Sequence, residues 1–168
     1  LVAFRALWQI AVQSGERVTG ADVGNAFINA DNDEETYIEQ VPGHEEADPR
    51  QFVWRLRQCL YGMPHALRAF KRKMDLVMRD LGFTRLVTDQ CVYIRYNDDT
   101  GARIVAAAYV DDAICITSDE GLRAEWEAGM AAAFRKVKFM RKVDGILNVG
   151  VTEGVDEQGL RFVELSQD

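Results

Sequence analysis

Tyr109-Val110-Asp111-Asp112 decides how this chain is read. Two adjacent carboxylates stand between Ile104-Val105-Ala106-Ala107-Ala108 on one side and Ala113-Ile114-Cys115-Ile116 on the other. Short apolar runs of this length read as buried strands, and the few residues between them leave room only for a tight hairpin turn with both acids at its tip. A two-residue hairpin turn favours Gly, Asn or Asp at positive φ, and Val110 suits that badly. A chain that spends strain there to aim carboxylates points to function. Paired acids on a rigid tip match what Mg²⁺ requires, oxygen ligands from one or two carboxylates together with substrate phosphates.

Asp98-Asp99 serves as an internal control. It sits in Tyr96-Asn97-Asp98-Asp99-Thr100-Gly101, among turn formers, and reads as a solvated hairpin turn. Asp22 is the third acid of interest, near the end of a strand pattern over Arg17 to Val23. An Asp at a strand end is ordinarily a turn or cap residue. If its strand lies beside that of Asp111 in one antiparallel sheet, the carboxylates come within reach of a shared pair of Mg²⁺ ions. Such a pair stabilises the attacking and leaving oxygens of an in-line phosphoryl displacement. No rival constellation competes: the chain has two histidines, His44 and His65, and no Gly-rich phosphate loop.

The remaining pattern predicts an α+β fold, strands and helices mixing without the alternation of a doubly wound sheet. Helices are expected over Leu1–Val12, His65–Leu81 and from Ser118 or Asp119 to about Phe134. In the second of these, positions 66, 67, 70, 74, 77, 78 and 81 form the apolar stripe. Strands are expected over Arg17–Val23, Thr36–Gln40, Phe52–Leu56, Cys91–Tyr96, Ala102–Tyr109, Ala113–Thr117, Val137–Val151 and Leu160–Leu165, with a turn or short helix at Gly24–Ala30. At 168 residues and 48% apolar content the chain suits one domain, or one domain and a piece of another. No run reaches the length of a membrane span. Cys59, Cys91 and Cys115 match no zinc or disulfide spacing and read as reduced thiols of an intracellular protein.

The net charge of −7 argues against nucleic acid until its distribution is considered. Arg50 to Met74 carries seven bases and no acid, and Arg135 to Lys142 packs five bases into eight residues. Local basic stripes bind phosphate whatever the total charge, although the same stripes also occur as plain solvated faces.

Five blocks then recur in one order. Asp22-Val23-Gly24-Asn25-Ala26-Phe27-Ile28-Asn29, Tyr37-Ile38-Glu39-Gln40-Val41-Pro42-Gly43, and Leu60-Tyr61-Gly62-Met63 with Ala66 and Arg68-Ala69-Phe70 are followed by Leu81-Gly82-Phe83 with Asp89 and Cys91-Val92-Tyr93, then by Tyr109-Val110-Asp111-Asp112. In this order the chain resembles the reverse transcriptase of copia-type LTR retrotransposons. The resemblance implies an RNA-directed DNA polymerase: a palm with an antiparallel sheet packed on helices, plus part of the fingers. Residues 24–80 would be partly fingers and 81–168 mostly palm, with further segments of a longer polyprotein on either side. It implies Asp22, Asp111 and Asp112 as the catalytic acids and ligands of two Mg²⁺ ions (Mn²⁺ also serving), with Asp112 the more peripheral.

Phe27 would fall under the incoming sugar and crowd a 2′-hydroxyl. Val23, His65 and Tyr109 would line the substrate, and Arg68, Lys71 and Arg72 would meet nucleic acid. Expected partners are an RNA or DNA template-primer, dNTP, and integrase and RNase H domains of the same polyprotein, with no membrane. The expected location is a cytoplasmic virus-like particle. Departures stand beside the intact acids: Pro64-His65 replaces the family's Lys-Gln, Gly24 replaces a lysine, and Gly145–Gly150 matches only loosely. The same residues therefore also fit an inactive or domesticated remnant acting only as a nucleic-acid-binding module.

Overall fold

The computed structural model describes residues 2–147 and 149–167. Leu1 of the predicted first helix and Asn148 of the loose Gly145–Gly150 match lie outside the described residues. The chain divides into two compact units, one of residues 1–24 with 75–168 and one of Asn25–Met74.

The larger unit is built on a six-stranded antiparallel sheet. Helix α1 (Val2–Ser14) precedes β1 (Arg17–Val23). In the smaller unit lie a 3₁₀ turn (Ala26–Asn29), β2 (Tyr37–Ile38), β3 (Trp54–Arg55) and the start of α2 (Ala66–Asp80). The larger unit then resumes with β4 (Thr84–Arg85), β5 (Val92–Tyr96), β6 (Arg103–Tyr109), β7 (Asp112–Thr117), α3 (Glu120–Ala133) and β8 (Val137–Met140). Last come β9 (Gly145–Ile146), β10 (Val149–Val155) and β11 (Arg161–Ser166). The large sheet runs β4-β5-β6-β7-β1-β8, and β9 to β11 form a small antiparallel sheet. Mixed helices and antiparallel sheets make the fold α+β, as the pattern predicts. Among the described residues no helix is long and apolar enough to cross a membrane.

Alternation along the central strands gives the large sheet two buried faces. On one, Val18 of β1 and Ile114 and Ile116 of β7 pack with Phe4, Leu7, Trp8 and Ala11 of α1 and with Val143, Ile146 and Val151. On the other, Thr19 lies opposite Cys115, Ala21 opposite Ala113 and Phe139. There Trp126 of α3 meets Phe139 edge-on at 6.1 Å between centroids. Cys115 is buried, its sulfur 3.0 Å from the Thr19 hydroxyl, and burial pushes its thiol up to about 12. It is a packing residue, in line with its reading as a reduced thiol.

Helix α3 begins where expected. The Asp119 carboxylate accepts from the N–H groups of Gly121 and Leu122, satisfying donors that a helix start leaves open. Leu122, Trp126, Met130 and Phe134 are all buried. In α2 the predicted stripe needs correcting. Leu67 is exposed, and the buried line is Ala66, Ala69, Phe70, Met74 and Met78. At 3.6 residues per turn Leu67 points within about 20° of Met74 and Met78, so its exposure goes with its place in the first turn of α2 and not with its angle.

A second correction concerns Val137–Val151, expected as one strand. It breaks into β8, β9 and β10. Gly20 explains the break in part. A Cβ there would meet Met140 Cε at 2.9 Å and Val143 Cγ2 at 3.0 Å, so its absence lets the segment after β8 fold back over β1. Leu147 then takes a φ of 52° as the chain turns into β10.

Candidate active site

The register of the central strands brings the predicted acids together. Asp22, near the end of β1, pairs directly with Asp112, first residue of β7. Asp112 also pairs with Tyr109 across the β6–β7 hairpin, and Asp22 pairs with Lys138 of β8. Directly opposed residues of an antiparallel sheet project from the same face. Tyr109, Asp112, Asp22 and Lys138 therefore form one row across four strands. The backbone N–H of Val23 donates to the carbonyl of Asp111 at 2.8 Å and fastens the hairpin tip to the end of β1.

Val110 and Asp111 form the tip, and Val110 has a φ of 53°. A β-branched residue there is strained. Positive φ at the first central position and not at the second is the sign pattern of a type II′ turn. Asp111 is exposed, while Asp22 and Asp112 are half-buried. The control pair behaves as read: Asp98 and Asp99 are exposed, and Asn97 Oδ1 accepts from the N–H groups of Asp99 and Thr100 to close an ordinary turn.

The ion pairs formed by Arg50, Arg55, His65, Arg68, Arg72, Arg85, Arg95, Arg103, Arg123, Arg141 and Lys142 all go to acids other than Asp22, Asp111 and Asp112. Burial pushes the Asp112 carboxyl up; a 3.4 Å hydrogen bond from the Leu147 N–H opposes this, and repulsion from Asp111 and Asp22 adds to it. An acid whose folded pKa is raised costs stability when ionised. The metal-free protein should therefore gain stability as pH falls through the raised value towards the ordinary carboxylate range. Asp112→Asn should remove that cost at neutral pH and keep an oxygen for Leu147. The thermal midpoint in EDTA should rise by no more than about 2 °C, because ~1 kcal/mol is 2–4 °C at this size and a half-exposed group is screened. The difference from wild type should close as pH falls.

The side chain of Val23 is fully buried, and its backbone N–H is what meets the hairpin tip.

In the smaller unit, the edge of Phe27 stands against Tyr61 at 4.7 Å and against Phe70 at 6.4 Å between centroids. His65 is nearly buried. Its Nε2 lies 2.7 Å from Asn32 Oδ1 and its Nδ1 3.2 Å from Glu34 Oε2. Both ring nitrogens are engaged within the unit, which is the structural use of a helix-start histidine. Arg68 holds Glu34 at 2.9 Å and Arg72 holds Asp33 at 2.8 Å. The basic stripe of α2 and the acidic stretch after Ala30 are therefore partners rather than separate patches. Asp33, Glu34 and His65 lie close enough together to hold a metal ion. Each acid already faces an arginine, so this cluster is an ion-pair network.

A family model described as reverse transcriptase (RNA-dependent DNA polymerase) matches residues 1–164. The chain belongs to this reverse transcriptase family. The Pol polyprotein of tobacco transposon TNT 1-94 is 29% identical over 168 residues, all of this chain and 12% of its own length. The polyproteins of the Arabidopsis thaliana transposons RE2 and RE1 are each 29% identical, over 70% and 71% of this chain and 8% of their own. This reverse transcriptase chain thus spans about a tenth of the length of these three polyproteins. No solved structure matches it.

Proposed function

We propose that the chain is the catalytic palm of an RNA-directed DNA polymerase with part of its fingers, the latter supplied by Asn25–Met74. The reaction is attack of a primer 3′-hydroxyl on the α-phosphate of a deoxynucleoside triphosphate, with pyrophosphate leaving. One observation carries the reading: Asp22 stands opposite Asp112 beside the tip that holds Asp111.

The donor set fits a divalent metal pair. Hard cations take oxygen ligands; burial chiefly raises Asp112, and the repulsion from Asp111 and Asp22 that adds to it is what bound cations would relieve. Asp22 and Asp111 would be the main ligands, with Asp112 at the edge, its Oδ2 already engaged by Leu147. Two Mg²⁺ ions, when bound, supply charge neutralisation to the attacking and leaving oxygens. The chain's own part is positioning. The Val110–Asp111 turn holds one carboxylate in the open, and the β1–β7 pairing fixes the other two relative to it. Tyr109, half-exposed at the end of the same row, would touch the primer terminus. Phe27, braced by Tyr61, would select against a 2′-hydroxyl. Arg68, Lys71 and Arg72 would meet nucleic-acid phosphates, Arg68 and Arg72 exchanging Glu34 and Asp33 for them. A template-primer, dNTP, flanking integrase and RNase H domains and a cytoplasmic particle complete the proposal.

Manganese binding tests it. Mn²⁺ titrated into the chain in the presence of dATP, with free Mn²⁺ read by electron paramagnetic resonance, should give tight sites that disappear in Asp22→Asn/Asp111→Asn. His65→Ala should leave them in place. Binding that survives the double substitution, or that disappears with His65, would overturn the assignment. A remnant serving only to bind nucleic acid would show no carboxylate-dependent binding.

A further inference from the structure

Phe27 sits on the 3₁₀ turn Ala26–Asn29, and α2 grips that turn at two points. Phe70 meets the Phe27 ring edge-on at 6.4 Å between centroids. One helical turn further along, the Lys73 ammonium donates to the carbonyl of Asn29 at 2.7 Å. Residues three apart on a helix are neighbours on one face, so both grips come from the same side of α2. We propose that Lys73 is a positioning residue for sugar selection: by holding the end of this turn it keeps the Phe27 ring where a 2′-hydroxyl would meet it. This role rests on the polymerase reading, in which Phe27 faces the incoming sugar, and it gives Lys73 no contact with nucleotide or template.

The turn needs outside support. Its hydrogen-bond geometry is poorer than that of an α-helix, and a 3₁₀ run of four residues is near the usual limit. Its own backbone bonds are those from the Ile28 N–H to the Asn25 carbonyl, 3.1 Å, and from the Ala30 N–H to the Phe27 carbonyl, 3.0 Å. It starts from Asn25 at a φ of 54°, in the left-handed region that asparagine visits more readily than most residues.

Asn29 supplies the link to the helix. It is 3% exposed, and its side-chain amide donates back to the Asn25 carbonyl at 3.0 Å, which ties the two ends of the turn together. Its main-chain carbonyl faces the Lys73 ammonium. A cation at the last carbonyl of a helical turn is well placed against the backbone dipole. A charged donor also makes a shorter and stronger bond than a neutral one, in keeping with the 2.7 Å separation. Arg68 and Arg72 of the same helix reach the carboxylates of Glu34 and Asp33 instead. On its other side the Phe27 ring meets Tyr61 at 4.7 Å, but Tyr61 is 59% exposed and is the softer stop. Phe70, at 1% exposed, and the anchored carbonyl of Asn29 are the firm ones.

Primer extension with dATP and with ATP on one RNA template, in a longer polyprotein segment, tests the role of Lys73. The readout is the ratio of kcat/KM for dATP to that for ATP, which is independent of how much of a preparation is folded. Phe27→Ala should lower this ratio most. Lys73→Met keeps much of the side-chain length and removes the donor. It should lower the ratio by about tenfold, the scale of one hydrogen bond to a charged group. Lys73→Arg, able to donate to the same carbonyl, should restore most of it. In the Phe27→Ala background Lys73→Met should lower the ratio no further, because Lys73 acts through the ring. A ratio that falls in Phe27→Ala and is untouched by Lys73→Met would overturn the positioning role and spare the polymerase reading. A further fall in the double variant would overturn it too, by showing that Lys73 meets the nucleotide itself. A ratio unmoved by Phe27→Ala would instead strike the sugar contact of Phe27, and the role of Lys73 with it.

Discussion

Asp111→Asn should lower primer extension on an RNA template by at least about 100-fold, a lower bound set by what one well-placed electrostatic contact contributes to a transition state. The assay belongs in a longer polyprotein segment, since the relatives extend far beyond this chain. The substitution keeps the shape of the side chain and removes only its charge. Asp111 is exposed at a turn tip, so little packing is at risk. The carbonyl through which Asp111 ties down the Val23 N–H belongs to the backbone and survives. Loss of activity with an unchanged thermal midpoint therefore isolates a role for charge. Asp98→Asn is the matched control: an acid in an adjacent pair, also exposed at a hairpin turn, outside the carboxylate row. Its activity should stay near wild type. Equal activity of the two variants would remove Asp111 from the chemistry.

How far the sequence discloses this site depends on the range of the interaction. The β6–β7 hairpin is local: apolar runs on both sides of four residues leave one way to fold, and β7 begins one residue earlier than expected, at Asp112. Asp22 is harder. A strand over Arg17–Val23 is readable, but its register against a strand ninety residues away is not. A shift of one residue would turn Asp22 to the opposite face of the sheet. The Asp22–Asp112 pairing is thus a property of the assembled sheet, to which only the family resemblance pointed.

The smaller unit hides its partners for a similar reason. His65 at a helix start invites a substrate contact when seen alone. Asn32 and Glu34, which occupy both its nitrogens, lie 33 and 31 residues earlier. The acidic stretch and the basic helix each read as a separate patch, and nothing local says that Arg68 and Arg72 face Glu34 and Asp33. The broken strand after Val137 had a readable trace in Gly20, but only for a reader who knew what crosses over it.

Trp126→Ala should cost about 3–5 kcal/mol of unfolding free energy, the range for removing a large aromatic from a packed interior. Trp126 is 1% exposed on α3 and meets Phe139 of β8. Phe139 faces the helix, so Lys138, next in the strand, faces the other way and stands opposite Asp22. β8 is the edge strand beside β1, held to the sheet along one side only. Without the indole it loses the helix that backs it, and the flank of the carboxylate row should loosen with it. Denaturant unfolding would give the stability loss. Manganese affinity, measured where the variant is still folded, would give the coupling to the site and should fall even though no ligand has been touched. Trp126→Phe separates packing from polarity. The indole N–H of Trp126 is buried with no hydrogen-bond partner among the described residues, an arrangement that itself costs about 1–3 kcal/mol. Phenylalanine gives up some volume but removes that orphaned donor, so its net cost should fall well below that of alanine. A phenylalanine variant as unstable as the alanine one would mean that the indole N–H has a partner, such as an internal water, and that polarity rather than packing holds α3 to β8.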